Sequence, residues 1–249
     1  MPPGQDELPY DDGEPMESEK HLHQLTLLLQ TLRIHLGDRK DIFVGGNMGV
    51  YYSMLQARRN DFKAPDVFVV LDAVQNRERK SWVVWEEEGR TPNVVIELLS
   101  PSTEANDRGP KMRVYARALR VPEYFLFDPE TNVVEGYTLD TSRWEYTPME
   151  RDVDGGYHSE QLGLGLHVVP GTVMGLTTEW LRWTTPQGEV LPNGPELAAQ
   201  EHARAALERS RAEQEHARAE QERSRADREA DRARRLADQL RSMGVDPDA

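Results

Sequence analysis

The residues best suited to chemistry lie between positions 66 and 115 of the chain. Asp66 opens one apolar segment, and Glu97 lies inside another, where a carboxylate is rarely found without a partner. Asp107, Lys111 and Tyr115 follow at intervals of four residues, which places them along one side of a helix. A buried acid beside a lysine is the combination that a metal-dependent phosphodiesterase needs. These residues are therefore candidates for such a site.

Each of these residues also has a purely structural interpretation. Asp66, directly after a proline, is also compatible with a simple turn. The alternative for Glu97 is an internal salt bridge, for which Lys111 is one candidate partner. Since proline is tolerated only in the first turn of a helix, Pro110 places Asp107 at or near the N-cap, where its carboxylate would cap the helix.

The elements that must position these residues are typical of an α/β protein. An amphipathic helix is predicted from Ser18 to Gly37, and a second over residues 107–119. Apolar runs of strand length occur at 42–44, 50–52, 67–71, 82–85, 94–99, 122–127 and 133–137. Because a helix separates the strands at 94–99 and 122–127, we expect those two strands to be parallel. The predicted fold class is α/β, with a central mixed β-sheet flanked by helices.

The composition limits the environment of the protein. Cysteine is absent, which excludes disulfides and thiolate metal sites and fits a reducing compartment. No apolar run approaches the roughly 20 residues of a membrane span, and the N-terminus has no secretion signal. We therefore expect a soluble cytoplasmic protein with no membrane partner.

The net charge of −14 argues at first against a nucleic-acid partner. Half of that excess lies in residues 1–19, which contain seven acidic residues and no basic one. Residues 1–17 are predicted to be a disordered acidic tail. The remaining body is mildly acidic, so DNA binding would need a local basic patch or metal ions.

The C-terminal part, residues 191–249, differs in character from the predicted domain at 18–190. Glu-His-Ala-Arg-Ala at 201–205 returns at 215–219, a shift of two heptads. Alanine occupies every seventh position from Ala198 to Ala233, which favours a helical coiled coil. A solvated single helix is the alternative, because glutamate stands where the second apolar position of the heptad belongs. Either structure would serve as a spacer or assembly element, and we expect a homodimer formed in part through it.

The motifs, taken in order, resemble those of the Uma2 family. The resemblance is carried by Pro-Asp-Val at 65–67, Val-Ile-Glu-Leu-Leu-Ser-Pro-Ser-Thr at 95–103, the Asp, Lys and Tyr-Ala-Arg of 107–117, and Val-Pro-Glu-Tyr-Phe with Asp-Pro at 121–129. It extends over roughly residues 15–185. Uma2 proteins are bacterial restriction-endonuclease-like proteins of the PD-(D/E)xK nuclease superfamily. The resemblance implies a central mixed sheet flanked by helices.

The resemblance also implies roles for the chemical residues. Asp66 and Glu97 match the acids that bind one or two Mg²⁺ (or Mn²⁺) ions. The position two after the acid, where the superfamily usually has its lysine, is Leu99 here. Lys111 on the following helix matches the lysine of Uma2-like sequences, so catalysis is assigned to Asp66, Glu97 and Lys111.

A second set of residues is expected to support the first. Asp107 and Tyr115 would fix the position of the lysine, and Ser100 lies in the turn between the acid and its helix. An acid early in the first helix often completes such sites, and Glu17 and Glu19 are the candidates.

The implied function is Mg²⁺-dependent hydrolysis of phosphodiester bonds in DNA. RNA is an alternative substrate that the sequence does not separate from DNA. The displaced lysine and the acidic body also favour a second hypothesis, a catalytically inactive nuclease-fold protein that acts as a binding or assembly module through its C-terminal helix.

Overall fold

The computed structural model describes residues 2–8, 18–59, 62–73 and 78–242. The chain divides into two compact units, Met1–Gly194 and Pro195–Ala249. This boundary lies four residues beyond the predicted boundary at 190.

The first helix, α1, spans Glu19–Leu36 and has the predicted bounds. At its start the Ser18 hydroxyl accepts a hydrogen bond from the main-chain N–H of His21 at 3.1 Å, which is ordinary N-capping. At its end Gly37 adopts a φ of 55°, a conformation that favours glycine, and its N–H donates to the last carbonyls of the helix. The buried face carries leucines at helical spacing, Leu25, Leu28 and Leu32.

A six-stranded mixed sheet forms the centre of the first unit, in the order β1-β3-β5-β6-β7-β8. Its strands are β1 Ile42–Gly45, β3 Val67–Leu71, β5 Val94–Leu98, β6 Glu123–Asp128, β7 Val133–Asp140 and β8 Glu145–Pro148. Neighbours are antiparallel except β5 and β6, which are parallel, as the helix between them predicted. The predicted fold class, α/β with a central mixed sheet, is confirmed.

The helix that joins β5 to β6, here called α3, spans residues 104–119 in four consecutive stretches. They are α-helical Glu104–Asn106, π-helical Asp107–Lys111, α-helical Met112–Val114 and π-helical Tyr115–Leu119. Pro110 therefore lies inside the helix, and the expectation that it restricts Asp107 to the N-cap is wrong. The wider π turn accommodates a proline whose ring would press on a carbonyl in a regular α turn.

Two smaller sheets complete this unit. Strands β2 (Val50–Tyr51) and β4 (Trp82–Val83) pair in parallel, and helix α2 (Met54–Arg59) follows β2. Strands β9 (Tyr157–Ser159), β10 (Leu164–Val173) and β11 (Leu176–Thr184) form an antiparallel sheet that packs with α1 on one face of the central sheet. Helix α3 covers the other face. Each face of the sheet therefore has its own apolar core.

Residues 2–8 of the predicted acidic tail pack near β4. Leu8 is buried beside Tyr51 and Val83, and the Trp85 indole donates to the Pro3 carbonyl at 3.1 Å. Asp6 of this segment also forms an exposed ion pair with Lys80 at 2.9 Å. Residues 9–17 lie outside the described part of the chain.

The described part of the second unit, residues 195–242, lies in one helix, α4, which spans Gly194–Ser242. Nearly all of its described side chains are exposed, including Leu207 at 53% and Leu236 at 50%. Among the described residues, no helix is both long enough and apolar enough to span a bilayer.

Candidate active site

The pairing of β3 with β5 brings Asp66 and Glu97 together. Val67 lies opposite Ile96 in this antiparallel register, so the residues next to them, Asp66 and Glu97, face each other across the strands. The Asp66 N–H donates to Glu97 Oε2 at 3.3 Å, and the Leu98 N–H donates to Asp66 Oδ2 at 2.7 Å. The two carboxylates are thus held by main-chain groups of the strands that carry them.

Lys111 reaches this pair from α3. Its Nζ lies 2.8 Å from Glu97 Oε2 and 3.2 Å from Asp107 Oδ1. The side chain of Glu97 is fully buried, that of Asp107 is nearly so, and that of Lys111 is 13% exposed. The internal salt bridge that the sequence left open therefore exists, and it lies inside the candidate site.

Two tyrosine hydroxyls donate hydrogen bonds to Glu97 and Asp107. The Tyr115 hydroxyl donates to Glu97 Oε1 at 2.7 Å, and the Tyr124 hydroxyl donates to the main-chain carbonyl of Asp107 at 3.0 Å. The two rings lie 5.3 Å apart between α3 and the sheet. Both oxygens of Glu97 therefore have a partner, and α3 is tied to the sheet at the site.

Asp107 belongs to the site and does not cap the helix. Its N–H donates to the Thr103 carbonyl at 3.0 Å, so it already lies within the first full turn of α3. Ser100, by contrast, holds the turn before α3: its hydroxyl is 2.9 Å from Thr103 Oγ1 and accepts the Thr103 N–H at 3.2 Å. Ser100 is thus linked to Asp107 through Thr103, whose main-chain carbonyl accepts the Asp107 N–H.

Burial and charge shift the pKa values of this cluster. Burial raises the pKa of Glu97 to about 8, against the opposing effect of the Lys111 charge. Burial likewise raises the pKa of Asp107. Burial alone would lower the pKa of Lys111, but the charges of Glu97, Asp107 and Asp66 outweigh it and raise that pKa. Glu97 and Asp107 therefore bind protons more tightly in the metal-free site than isolated acids do.

These shifts predict how stability depends on pH. Glu97 ionises near 4.5 in the unfolded chain and near 8 in the native protein, so the native state holds more protons between these values. We therefore expect the free energy of unfolding of the metal-free protein to fall as pH rises from 5 to 8. The stabilising effect of Lys111, whose pKa is raised, is fully present below about 10.5 and does not change in this window.

Urea unfolding in EDTA at several pH values measures this trend, and Glu97→Gln should flatten it. Carboxylates whose pKa is lowered, such as Asp128 and Glu135, titrate below this window. A stability that rises steadily from pH 5 to 8 in the wild type would contradict the prediction.

His21 is the residue that the sequence interpretation missed. Its Nε2 lies 3.7 Å from Asp66 Oδ1, and the residue is only 8% exposed. Its spacing from Leu25 and Leu28 places it on the buried face of α1, and this was the available signal. Glu19 is largely exposed and its carboxylate lies 3.9 Å from His23. Glu17 lies outside the described residues.

The donors present fit a hard divalent cation. Asp66 and Glu97 offer oxygen ligands. The site contains more carboxylate groups than positively charged side chains. Asp107 Oδ1 is buried without a hydrogen bond, although it lies near the lysine. In residues 2–8, 18–59, 62–73 and 78–242, no three His, Asp or Glu side chains form a preformed metal cage. The protein ligands would thus be the two acids, completed by water or substrate.

The chain is similar to two known proteins over part of its length. The chain is 37% identical over 79 residues to the uncharacterized protein slr1290 of Synechocystis sp.; the match covers 31% of this chain and 37% of that protein. It is also similar to a solved structure described as a "putative nuclease belonging to DUF820" from Anabaena variabilis. The identity is 15% and the TM-score 0.44, over 65% of this chain and 86% of the other.

The family comparison covers most of the first unit. The model of the family described as "Uma2: Putative restriction endonuclease" matches residues 2–170. This range includes Asp66, Glu97, Asp107, Lys111 and Tyr115. It begins earlier than the predicted resemblance, which started near residue 15, and it ends before the predicted limit near 185. Since the match extends over more than half of the chain, the protein belongs to the Uma2 family.

Proposed function

We propose that this protein is a Mg²⁺- or Mn²⁺-dependent endonuclease that hydrolyses phosphodiester bonds in DNA. The observation that carries the proposal is the buried contact of Lys111 with the carboxylates of Glu97 and Asp107, with Asp66 opposite Glu97 across the two strands. Such a cluster is a poor way to stabilise a fold, because each charge loses its hydration. It is a good way to hold a divalent cation next to a phosphate group.

Asp66 and Glu97 would hold the ion. When bound, a divalent cation polarises a phosphoryl oxygen and lowers the pKa of water. Asp66 suits this role because its side chain is 18% exposed, and the main-chain N–H of Leu98 fixes one of its oxygens. Glu97, fully buried, defines the inner wall of the site.

Lys111 would act on the phosphate. Its raised pKa keeps it charged at neutral pH, and its side chain is 13% exposed. A fixed positive charge there would stabilise the negative charge that develops on the phosphoryl oxygens. Asp107 and Tyr115 would hold the lysine and Glu97 in place, as partners behind a metal site commonly do.

A cleavage assay tests the proposal. Supercoiled plasmid, linear duplex and single-stranded DNA are incubated with Mg²⁺, Mn²⁺ or EDTA, with an RNA of matched sequence as a separate arm. We expect metal-dependent cutting of DNA that EDTA abolishes. If the protein cuts RNA but not DNA, the proposed phosphodiesterase activity is supported and the proposed substrate, DNA, is wrong.

A folded wild-type protein that cuts neither DNA nor RNA under any of these metals would overturn the proposal. The second hypothesis, a catalytically inactive protein that acts as a binding or assembly module through α4, would then be favoured, since it requires no hydrolysis.

We further propose that α4 mediates a homodimer. Its alanine track at seven-residue spacing presents one narrow apolar stripe on a helix that is otherwise charged. Deletion of residues 195–249 is expected to convert a dimer into a monomer in sedimentation equilibrium.

A matched pair of variants tests the stripe itself. Ala212→Glu, in the track, should weaken the dimer, whereas Ala217→Glu, five positions further round the helix and nearly opposite, should not. Equal effects of the two variants, or a dimer that survives the deletion, would show that α4 is not the interface.

A further inference from the structure

His21 lies next to Asp66 and has no role in the chemistry described so far. Its position is set by local structure, because the Ser18 hydroxyl accepts the His21 N–H in the first turn of α1. The imidazole is largely buried and its Nε2 faces Asp66 Oδ1 at 3.7 Å. The first turn of α1 thus places His21 Nε2 next to Asp66, one of the two candidate metal ligands.

Asp66 is held at only one of its oxygens by the strands. Oδ2 accepts the Leu98 N–H at 2.7 Å, whereas Oδ1 points toward His21. A carboxylate fixed at one oxygen can still rotate about its side-chain bonds, and a second contact would stop that rotation. The 3.7 Å separation is compatible with an electrostatic contact or with a hydrogen bond through one bridging water.

We infer that His21 is a positioning residue that orients Asp66 for metal binding through its Nε2. The inference deepens the proposed function and rests on it, because the orientation matters only if Asp66 binds a cation. Groups that orient metal ligands commonly change metal affinity by about 10–100-fold when they are removed. His21 would therefore affect the metal affinity although it lies outside the pair of ligands.

The chain offers a matched control two residues further along the same helix. His23 is as buried as His21, at 8% exposure. Its ring lies 6.4 Å from that of Trp180, and its Nε2 is 3.9 Å from Glu19. A change at His23 thus reproduces the loss of a buried histidine from α1 without altering a contact with Asp66.

The test is the affinity of the full chain for Mn²⁺, measured from the electron paramagnetic resonance signal of the free ion. The variants are His21→Leu, His21→Gln, His23→Gln and Asp66→Asn, each checked for folding by thermal unfolding. We expect His21→Leu to weaken Mn²⁺ binding by about tenfold or more. His21→Gln should restore most of it, since its amide nitrogen reaches about as far as Nε2, and His23→Gln should match the wild type.

The outcomes separate this inference from the proposed function. If the wild type binds Mn²⁺ and Asp66→Asn does not, the proposed metal site is supported, whichever result the His21 variants give. Wild-type affinity in His21→Leu, or equal losses in His21→Leu and His21→Gln, would then overturn the positioning role alone. A wild-type protein that binds no Mn²⁺ would overturn the proposed function, and the inference with it.

Discussion

Replacement of Lys111 by methionine is expected to abolish cleavage and to lower the free energy of unfolding by about 3–5 kcal/mol at pH 8 in the absence of metal. Methionine retains the length of the side chain but removes the charge within 2.8 Å of Glu97 and 3.2 Å of Asp107. Glu97 and Asp107 would then be buried carboxylates without the lysine ammonium that neutralises them. The loss should be smaller at pH 6, where both groups can take up protons.

Urea unfolding in EDTA at pH 6 and pH 8 measures this effect. Lys80→Met is the control, because its ion pair with Asp6 at 2.9 Å is exposed on both sides and such pairs contribute only about 0–1 kcal/mol. The double variant Lys111→Met with Glu97→Gln should recover part of the stability. A Lys111→Met protein as stable as the wild type at pH 8 would show that the cluster is not charged in the folded state.

Glu97→Gln is expected to lower the cleavage rate by at least about a thousandfold, equivalent to several kcal/mol of transition-state stabilisation. Glutamine is nearly the same size, and its carbonyl oxygen can still accept the Tyr115 hydroxyl, so the fold should survive. The lost property is the negative charge that would hold the ion together with Asp66.

The measurement is single-turnover cleavage of a plasmid, with far-ultraviolet circular dichroism as the check on folding. Glu123→Gln is the matched control, since Glu123 is also a buried acid of the sheet, is hydrogen-bonded to Ser159 and has a raised pKa because of burial. A folded Glu97→Gln protein with wild-type activity would remove Glu97 from the mechanism.

The convergence of the candidate site was predictable from the sequence because it depends on local patterns. The four-residue spacing of Asp107, Lys111 and Tyr115 placed them on one side of α3, and the helix between two apolar strands predicted that β5 and β6 are parallel. An acid inside a buried strand required a partner, and Lys111 is that partner.

Other features were not predictable because tertiary contacts determine them. His21 approaches Asp66 only through the docking of α1, which no short-range pattern reports. The place of Pro110 within α3 depends on a π turn that propensity rules do not anticipate. Strands β9 to β11 contain glycine, histidine and a proline at Pro170, so they lack the continuous apolar runs of the central strands.

The placement of the lysine on α3 divides the proposed catalytic set between two parts of the chain. Leu99, directly after β5, occupies the usual lysine position and is buried in the apolar core beneath α3. Asp66 and Glu97 lie next to each other as soon as β3 and β5 pair. Lys111 joins them only when α3 packs on the sheet. Under the proposed function, a chain in which α3 has not docked would hold both metal ligands but lack the lysine, so it would bind a metal without cutting. The docking of α3 would then be the folding step that makes cleavage possible.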